Sequence, residues 1–517
     1  MQFKIKVLIA SAATAALTLI ALNLPATQNN NLPAGGGPQP SADARVDPRY
    51  LEFYEQEVAW KKCGGGQLLC AKVEVPSDWN NPSGERLKIA VAYHLATNAQ
   101  AKGTLIFNPG GPGVSGVNWL KDSYEQLGTK DLRAKFNFVG FDPRGVGSSE
   151  PLIKCFDAKG TDELLYGAPK SQIGTAGDVA ETRASTKELT AACLKNTGPN
   201  LEFVDTASAA KDMDIIRAVF GESKINYLGF SYGTYLGTMY AELFPYRVGR
   251  MVLDGAIDPT VDDAGQNIAQ LIGFDRALKN FLTDCVGNKD CPFTGDLASA
   301  EAQLSNLLLS IESKPLKTDS GRELTIWAAI TGILMPLYGQ SWWPTLSDGL
   351  TEALNGNGTT LLSLADTYND RNEDGTYASN TLEVNIAVSC LDARQPTDAK
   401  SMAAQNQIAL KTSSVLGRYW QFGGLTCEQW PFPVAERPKT FEAKGTPPIL
   451  VVGTTGDPAT PYEQAVSLAK NVLSNARLIT FNGEGHTAYG LESQCVNKAV
   501  DDYFIKNVVP TEDPDCT

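Results

Sequence analysis

One pentapeptide in the sequence has the residue types of a nucleophilic serine site. Gly229-Phe230-Ser231-Tyr232-Gly233 follows the strand-like run INYL and precedes the helical run TYLGTMYAELF. In a G-x-S-x-G turn the chain passes sharply from strand to helix, and glycines are needed because a Cβ there would clash with backbone. The turn exposes the serine hydroxyl, and the helix N-terminus favours developing negative charge. This context predicts that Ser231 is a nucleophile.

A serine hydroxyl needs a general base near neutral pH, and the chain offers two histidines. His94 lies within a predicted strand, VAVAYHLAT, ahead of the nucleophile, where a structural role is expected. His486 follows the last predicted strand, at the edge of the sheet where catalytic loops collect. We therefore predict that His486 is the base.

The base needs a carboxylate that orients the imidazole and stabilises its charged form. Asp457 follows the predicted strand PILVVG, one strand–helix unit before His486. Asp254, which ends the run MVLD, is the alternative, because some proteins with this order of elements take the acid from that strand. We favour Asp457 and expect Asp254 to hold a loop or cap a helix.

Two backbone N–H groups must converge on the oxyanion that such a nucleophile generates. Tyr232 follows the nucleophile and supplies one of them. The glycine-rich turn NPGGPG, residues 108–113, follows an earlier strand, and we predict that Gly111 supplies the other. In the later turn DPRGVGSS, Asp142 and Arg144 are expected to brace the loops beneath the site.

Strand-like runs alternate with helical ones, which is typical of a mostly parallel sheet. An opening antiparallel hairpin, four further strands and two strands near the end predict eight strands. A largely helical segment interrupts them after the sixth, and this order is that of the α/β-hydrolase fold. The predicted divisions are a signal peptide (1–26), a flexible linker (27–47), the first part of the core (48–256), a helical cap (257–440) and the second part of the core (441–517).

The N-terminus has the pattern of a secretion signal, with Lys4 and Lys6 before an apolar run from Val7 to Leu24. The run is long enough that an uncleaved membrane anchor is the alternative. Secretion would place the ten cysteines in an oxidising compartment, where an even number favours disulfides. Pairing of each cysteine with its neighbour along the chain is the hypothesis: Cys63–Cys70, Cys155–Cys193, Cys285–Cys291, Cys390–Cys427 and Cys495–Cys516.

The net charge of −14 argues against a nucleic-acid partner, since phosphate binding needs clustered Lys and Arg. The segment YNDRNEDGTY resembles the start of a calcium loop, but its twelfth position is Thr381 rather than Glu, so a polar turn is favoured. HExxH is absent from the sequence, and Ser231 stands where dehalogenases and epoxide hydrolases of this fold carry Asp. We expect no metal, no cofactor and a monomer.

Several motifs together resemble one known group, the exported tripeptidyl aminopeptidases of actinobacteria, which are related to the prolyl aminopeptidases. They are NPGGPGVSG, FDPRGVGSS, GFSYGTYLG, GTTGDPATP, GEGHTAYG, AVSCLDARQP and CEQWP. Prolyl aminopeptidases usually carry HGGPG, whereas Pro109 replaces that histidine here, which matches the tripeptidyl branch better. The resemblance implies release of short peptides from a free N-terminus, with the cap closing the site beyond a few residues.

A free α-amino group is cationic, so its capture needs a carboxylate in the cap pocket. Glu383 and Asp392, in TLEVNIAVSCLDAR, are the candidates. Two other functions stay open. An esterase or lipase acting on envelope lipids or small esters would use the same three residues, and the apolar run ILMPLYGQSWW suits it. A secreted binding protein with a degenerate site is the non-enzymatic alternative.

Overall fold

The computed structural model describes residues 46–65, 68–98, 101–490 and 493–517. The predicted signal peptide and residues 27–45 of the predicted linker lie outside these ranges. Within them the chain forms a large sheet and a separate hairpin. The strands are β1 (Lys61–Lys62), β2 (Leu68–Pro76), β3 (Arg86–His94), β4 (Thr104–Asn108), β5 (Asn137–Phe141), β6 (Ile225–Phe230), β7 (Val248–Asp254), β8 (Leu316–Lys317), β9 (Glu323–Leu324), β10 (Ile449–Gly456), β11 (Ala476–Glu484) and β12 (Asp515–Cys516).

The order of strands across the large sheet is β1-β2-β3-β5-β4-β6-β7-β10-β11-β12. The pairs β1–β2, β2–β3 and β3–β5 are antiparallel, and all pairs from β5 to β12 are parallel. The sheet contains the eight predicted strands and two more, β1 and β12. These two additional strands have two residues each, too few for a periodic pattern in the sequence.

The helices surround this sheet and fill the segment between β7 and β10. They are α1 (Leu51–Tyr54), α2 (Gly116–Asp122), α3 (Lys130–Lys135), α4 (Ala158–Tyr166), α5 (Ala176–Thr197), α6 (Thr206–Val219), α7 (Tyr232–Leu243), α8 (Asp263–Val286), α9 (Leu297–Ser313), α10 (Ile326–Leu334), α11 (Trp343–Leu354), α12 (Thr359–Tyr368), α13 (Thr381–Asp392), α14 (Ala399–Thr412), α15 (Leu425–Glu428), α16 (Tyr462–Ser467) and α17 (Gln494–Lys506). No helix in the described ranges combines the length and apolar character needed to cross a bilayer.

The central strands are buried on both faces, as is usual in parallel sheets covered by helices. Side chains alternate between the two faces along each strand. In β4, for example, Ile106 packs into the apolar layer that includes α6 and α7, whereas Leu105 and Phe107 pack into the layer that includes α2 and α17. Two apolar layers therefore hold the strand ends in fixed positions.

The segment between β7 and β10 carries α8 to α15 and the β8–β9 hairpin, and it has an apolar core of its own. This core also includes Tyr166 and Ile173, which come from the region between β5 and α6. Conversely, Val384 and Leu391 on α13 pack with the sheet. Packing thus crosses the predicted cap boundaries at residues 257 and 440, and α13 connects the helical insertion to the sheet.

Each of the ten cysteines, all within the described ranges, is bonded to the next one along the chain. The pairs are Cys63–Cys70, Cys155–Cys193, Cys285–Cys291, Cys390–Cys427 and Cys495–Cys516. This is the neighbour pairing expected from the sequence. The first and last bonds lie at β1–β2 and at β12, where they tie the short edge strands to the molecule. Five disulfides are typical of proteins that fold in an oxidising compartment.

Candidate active site

Ser231 lies in the sharp turn between β6 and α7. Its backbone has φ 56° and ψ −124°, a combination that non-glycine residues rarely adopt and that costs conformational energy. Its N–H donates to the carbonyl of Asp254 at 2.9 Å. A Cβ at Gly229 would lie 2.3 Å from the carbonyl oxygen of Gly233, and a Cβ at Gly233 would lie 2.6 Å from that of Asn108. The two glycines therefore permit the turn that presents Ser231.

His486 follows β11 and is oriented by Asp457, which follows β10. Nδ1 of the imidazole lies 2.9 Å from each carboxylate oxygen of Asp457. Asp457 is fully buried, and its carboxylate also accepts the N–H of Ala459, the N–H of Thr460 and the Thr460 hydroxyl, each at 2.9 Å. This arrangement holds the ring with Nε2 directed away from the acid.

The environment of His486 favours the protonated imidazole. Burial lowers the pKa of His486, but the charge of Asp457, its hydrogen bond to the ring and the charge of Asp254 together outweigh burial and raise the pKa above 6.5. The Tyr338 ring and the imidazole are nearly perpendicular, with the ring centres 5.5 Å apart, and the backbone N–H of His486 donates to the Tyr338 carbonyl at 2.9 Å. The helical insertion therefore contacts this loop directly.

Asp254, the alternative acid, binds backbone rather than the imidazole. Its fully buried carboxylate accepts the N–H of Ala488 at 3.0 and 3.1 Å and the N–H of Tyr489 at 2.7 Å. Burial raises its pKa to about 6, and these two hydrogen bonds and the charge of His486 oppose the rise. Asp254 thus holds the loop that carries His486, two residues beyond the imidazole.

The imidazole and the serine turn meet at the end of β7. A Cβ at Gly255 would lie 3.1 Å from His486 Cε1, and the preceding residue, Asp254, accepts the hydrogen bond from Ser231 N–H. Among the described residues, Ser231 Oγ forms no hydrogen bond in this structure. Catalytic hydrogen bonds are often long in unliganded enzymes and tighten when substrate binds.

The predicted oxyanion donors both border the cavity that opens at Ser231. Gly111 adopts φ +110°, and a Cβ on it would lie 2.6 Å from the backbone nitrogen of Gly113, so only glycine fits this turn. Gly110 N–H donates to Asn108 Oδ1 at 3.0 Å, which fixes the start of the turn. Tyr232 N–H belongs to the first turn of α7, where N–H groups have no partner within the helix.

The turn between β5 and α4 supports these loops from below. The carboxylate of Asp142 accepts hydrogen bonds from the Ser115 hydroxyl at 2.6 Å and from Val117 N–H at 3.1 Å. Arg144 is fully buried and forms a two-point ion pair with Asp212 on α6, at 2.5 and 2.8 Å. Neither side chain lines the cavity, consistent with their expected bracing role.

A cavity of about 650 Å³ lies between the sheet and the helical insertion, and Ser231 is part of its lining. Its polar wall is the first two turns of α8. Asp263, Gln266, Asn267 and Gln270 line it, at the spacing that places residues on one face of a helix. This wall was not predicted from the sequence, although polar residues at i, i+3, i+4 and i+7 are a visible signal of one polar helix face.

The two carboxylates expected to bind an amino group occupy different positions. Asp392 lines the cavity, whereas Glu383, at the other end of α13, is not among the lining residues. Asp392 accepts hydrogen bonds from Thr206 N–H at 2.9 Å and from the Thr206 hydroxyl at 2.5 Å. Burial raises the pKa of Asp392 to about 7. Asp263 is a second lining carboxylate, and burial raises its pKa as well.

His94 does not line this cavity, and the calcium-like segment reaches the lining at its first residue, Tyr368. The His94 ring stacks on Tyr124 with centres 3.6 Å apart, its Nδ1 bonds to the Leu95 carbonyl at 2.8 Å, and burial lowers its pKa. The segment around Asp374 forms a polar turn in which that carboxylate accepts the N–H and hydroxyl of Thr376. In the described ranges, no group of three His, Cys, Asp or Glu side chains could hold a metal ion.

The chain is similar to known hydrolases of one fold family. Residues 103–493 match the family described as alpha/beta hydrolase fold. Serine protease Hip1 of Mycobacterium tuberculosis is 36% identical over 481 residues, which cover 89% of this chain and 91% of that protein. Carboxylesterase B of the same organism is 38% identical over 452 residues, covering 85% of each chain. Tripeptidyl aminopeptidase of Streptomyces lividans is 32% identical over 473 residues, covering 89% of this chain and 86% of that protein.

The chain therefore belongs to the α/β-hydrolase fold family. It is a serine hydrolase of the group that resembles the actinobacterial tripeptidyl aminopeptidases, as the sequence motifs predicted.

Proposed function

We propose that this chain is an exported serine aminopeptidase that releases short peptides, such as tripeptides, from the free N-terminus of its substrates. The proposal rests on one observation above the others: the cavity lined by Ser231 is also lined by two carboxylates, Asp263 and Asp392, and by side-chain amides. Amides suit the N–H and C=O groups of a peptide, and a carboxylate suits a terminal ammonium. The names of two relatives, a protease and an aminopeptidase, support the same substrate class.

In this proposal Ser231 Oγ attacks the scissile carbonyl carbon while Nε2 of His486 takes the hydroxyl proton. The N–H groups of Gly111 and Tyr232 stabilise the oxyanion of the tetrahedral intermediate. Asp457 orients the imidazole and stabilises its charged form. His486 then donates the proton to the leaving amine, and the acyl-enzyme forms. Water attacks the acyl carbon while His486 takes a proton from the water, and return of that proton to Ser231 Oγ breaks the ester bond and releases the short peptide.

Export accounts for the predicted signal peptide and for the five disulfides. The bonds at Cys390–Cys427 and Cys285–Cys291 lie in the helical insertion and would strengthen it outside the cell, where no reducing system maintains thiols. Mass spectrometry of the native chain after export tests this: the first residue of the mature chain reports signal cleavage, and the mass reports the oxidised cysteines.

The decisive experiment compares substrates that differ in one feature. A tripeptide arylamide with a free amino group is measured against its N-acetyl form and against a p-nitrophenyl ester. We expect kcat/KM for the free peptide to exceed that for the acetylated peptide by at least about tenfold, because only the free form offers a charge to the buried carboxylates. Equal turnover of the two peptides would contradict the aminopeptidase function.

A carboxylesterase is the second candidate. The relative named carboxylesterase B is as similar to this chain as the named protease, and Tyr338, Tyr419 and Trp420 give one side of the cavity an aromatic surface. Ester and amide hydrolysis share the tetrahedral intermediate, so the same Ser231 chemistry serves both. Ester turnover without cleavage of either peptide would favour this function.

A further inference from the structure

A chain of buried hydroxyl groups connects Asp392 in the cavity lining with the nucleophile turn. The Thr206 hydroxyl lies 2.5 Å from Asp392 Oδ2 and 2.5 Å from the Tyr232 hydroxyl. Tyr232 is the residue after Ser231, and its N–H borders the cavity. Thr206 itself is fully buried, and it begins α6 with its N–H donating to the other oxygen of Asp392. One side chain therefore contacts both the cavity carboxylate and the turn.

The directions of these hydrogen bonds follow from the number of protons available. A threonine hydroxyl donates once and accepts through its lone pairs. When Asp392 is ionised it can only accept, so Thr206 donates to Asp392 and the Tyr232 hydroxyl must donate to Thr206. The chain then runs from Tyr232 through Thr206 to Asp392. A protonated Asp392 could itself donate, so neither hydrogen bond would then be restricted to this direction.

We propose that Thr206 is a positioning residue that couples recognition of the substrate amino group at Asp392 to the placement of the nucleophile turn through Tyr232. This inference rests on the proposed aminopeptidase function, because it gives Asp392 the terminal ammonium as its ligand. Thr206 contacts neither the scissile bond nor the imidazole. Its hydroxyl favours the ionised form of Asp392 and orients the carboxylate. The same hydroxyl contacts the Tyr232 hydroxyl and so anchors that side chain.

The charges around Asp392 make the coupling measurable. Burial raises the pKa of Asp392 to about 7, and the charge of Asp205 acts in the same direction. The hydrogen bonds from the Thr206 hydroxyl and N–H and the charge of Arg437 lower this pKa. Tyr232 and Tyr235 also face this carboxylate, and burial together with the charge of Asp392 raises the pKa of both phenols, so they stay neutral at physiological pH. Removing the Thr206 hydroxyl removes one stabilising bond from the ionised carboxylate. The pKa of Asp392 must then rise.

The test compares Thr206→Val, which keeps the shape and the backbone N–H, with Thr206→Ser, which keeps the hydroxyl. For a free tripeptide arylamide, we expect Thr206→Val to lower kcat/KM at least about tenfold at neutral pH. We also expect the acid limb of the pH profile of kcat/KM to move upward by about one pH unit. For a p-nitrophenyl ester without an amino group, the limb reports His486 and should not move. Thr206→Ser should restore both the rate and the limb.

Tyr232→Phe tests the other end of the chain. It leaves the Thr206–Asp392 bond in place, so we expect the KM for the free peptide and the acid limb to stay near wild type. We expect kcat to fall more for the free peptide than for the ester, because only the peptide has an amino group that engages Asp392. An unchanged kcat in Tyr232→Phe would overturn the coupling. So would a Thr206→Val variant whose acid limb moves equally for both substrates, or moves for neither. Circular dichroism and Tm identify any variant that fails to fold, and Tyr232→Phe decides the matter if Thr206→Val does fail.

The two proposals fail in different ways. Equal turnover of free and acetylated peptides by the wild-type protein contradicts the aminopeptidase function, and with it the ligand assigned to Asp392. A wild-type preference for the free peptide that Thr206→Val leaves intact contradicts the role of Thr206 alone.

Discussion

The two sides of the cavity are built in different ways. On the sheet side, Ser231, Asp457 and His486 each follow a parallel strand, so their positions are set by the sheet itself. On the side of the insertion, Asp263 lies on α8 and Asp392 on α13. These two residues are more than a hundred positions apart in the chain, and the folded insertion brings both to the cavity. The first side carries the residues to which we assign the proposed chemistry. The second carries the features that would select a substrate.

Variants on the sheet side should have the largest effects, and they should not discriminate between substrates. We expect Ser231→Ala and His486→Ala each to lower kcat by roughly 10⁵-fold or more on both peptide and ester. Ser231→Ala should leave Tm nearly unchanged, since the hydroxyl makes no hydrogen bond with a described residue. Residual turnover close to wild type in either variant would remove the proposed nucleophile or base.

The two buried carboxylates near His486 provide a matched pair. Asp457→Asn should lower kcat by roughly 10⁴-fold, because the amide stabilises neither the imidazolium nor the required tautomer. Asp254→Asn should stay within about tenfold of wild type in kcat but lose stability, because it weakens hydrogen bonds to the buried N–H groups of Ala488 and Tyr489. Measured kcat and Tm of both variants give the comparison. Equal losses of kcat would show that Asp254 acts on the imidazole as well.

Variants on the insertion side should discriminate between substrates. We expect Asp392→Asn to lower kcat/KM for a free tripeptide arylamide by roughly tenfold to a hundredfold, since a charged partner is lost. Ester hydrolysis should change little. Glu383→Gln, on the same helix but outside the cavity lining, is the control and should leave both rates unchanged. A larger loss of kcat/KM in Asp263→Asn than in Asp392→Asn would indicate that the amino group binds at α8 instead.

The smallest expected effect is a shift in pH dependence. Because the pKa of His486 is raised above 6.5, the neutral imidazole needed as base is lost as pH falls through that raised value, and ester kcat/KM should fall there. Asp254→Asn removes a charge that raises this pKa, so its acid limb should lie at lower pH than that of wild type. A limb that moves upward instead would contradict the assigned electrostatics.

The same contrast explains what could be predicted from the sequence. Three features can be read directly from the sequence: the G-x-S-x-G turn, the scarcity of histidine and the strand that precedes Asp457. Each predicted a residue that follows a strand of the sheet. The expectation that Asp254 holds a loop followed from the choice of Asp457 as the acid. The α8 wall and the Thr206 contacts could not be deduced, because they depend on how the insertion packs over the sheet. The edge strands β1 and β12 escaped prediction because two residues carry no periodicity.

The contact between Tyr338 and the His486 loop limits how this molecule can be re-engineered. Tyr338 belongs to the helical insertion, yet its carbonyl accepts the backbone N–H of His486 and its ring packs against the imidazole. An exchange of this insertion for that of a relative with another specificity would also replace a support of the base. Such a chimera would need to retain the tyrosine and its backbone position, or its loss of turnover would be mistaken for a change in substrate preference.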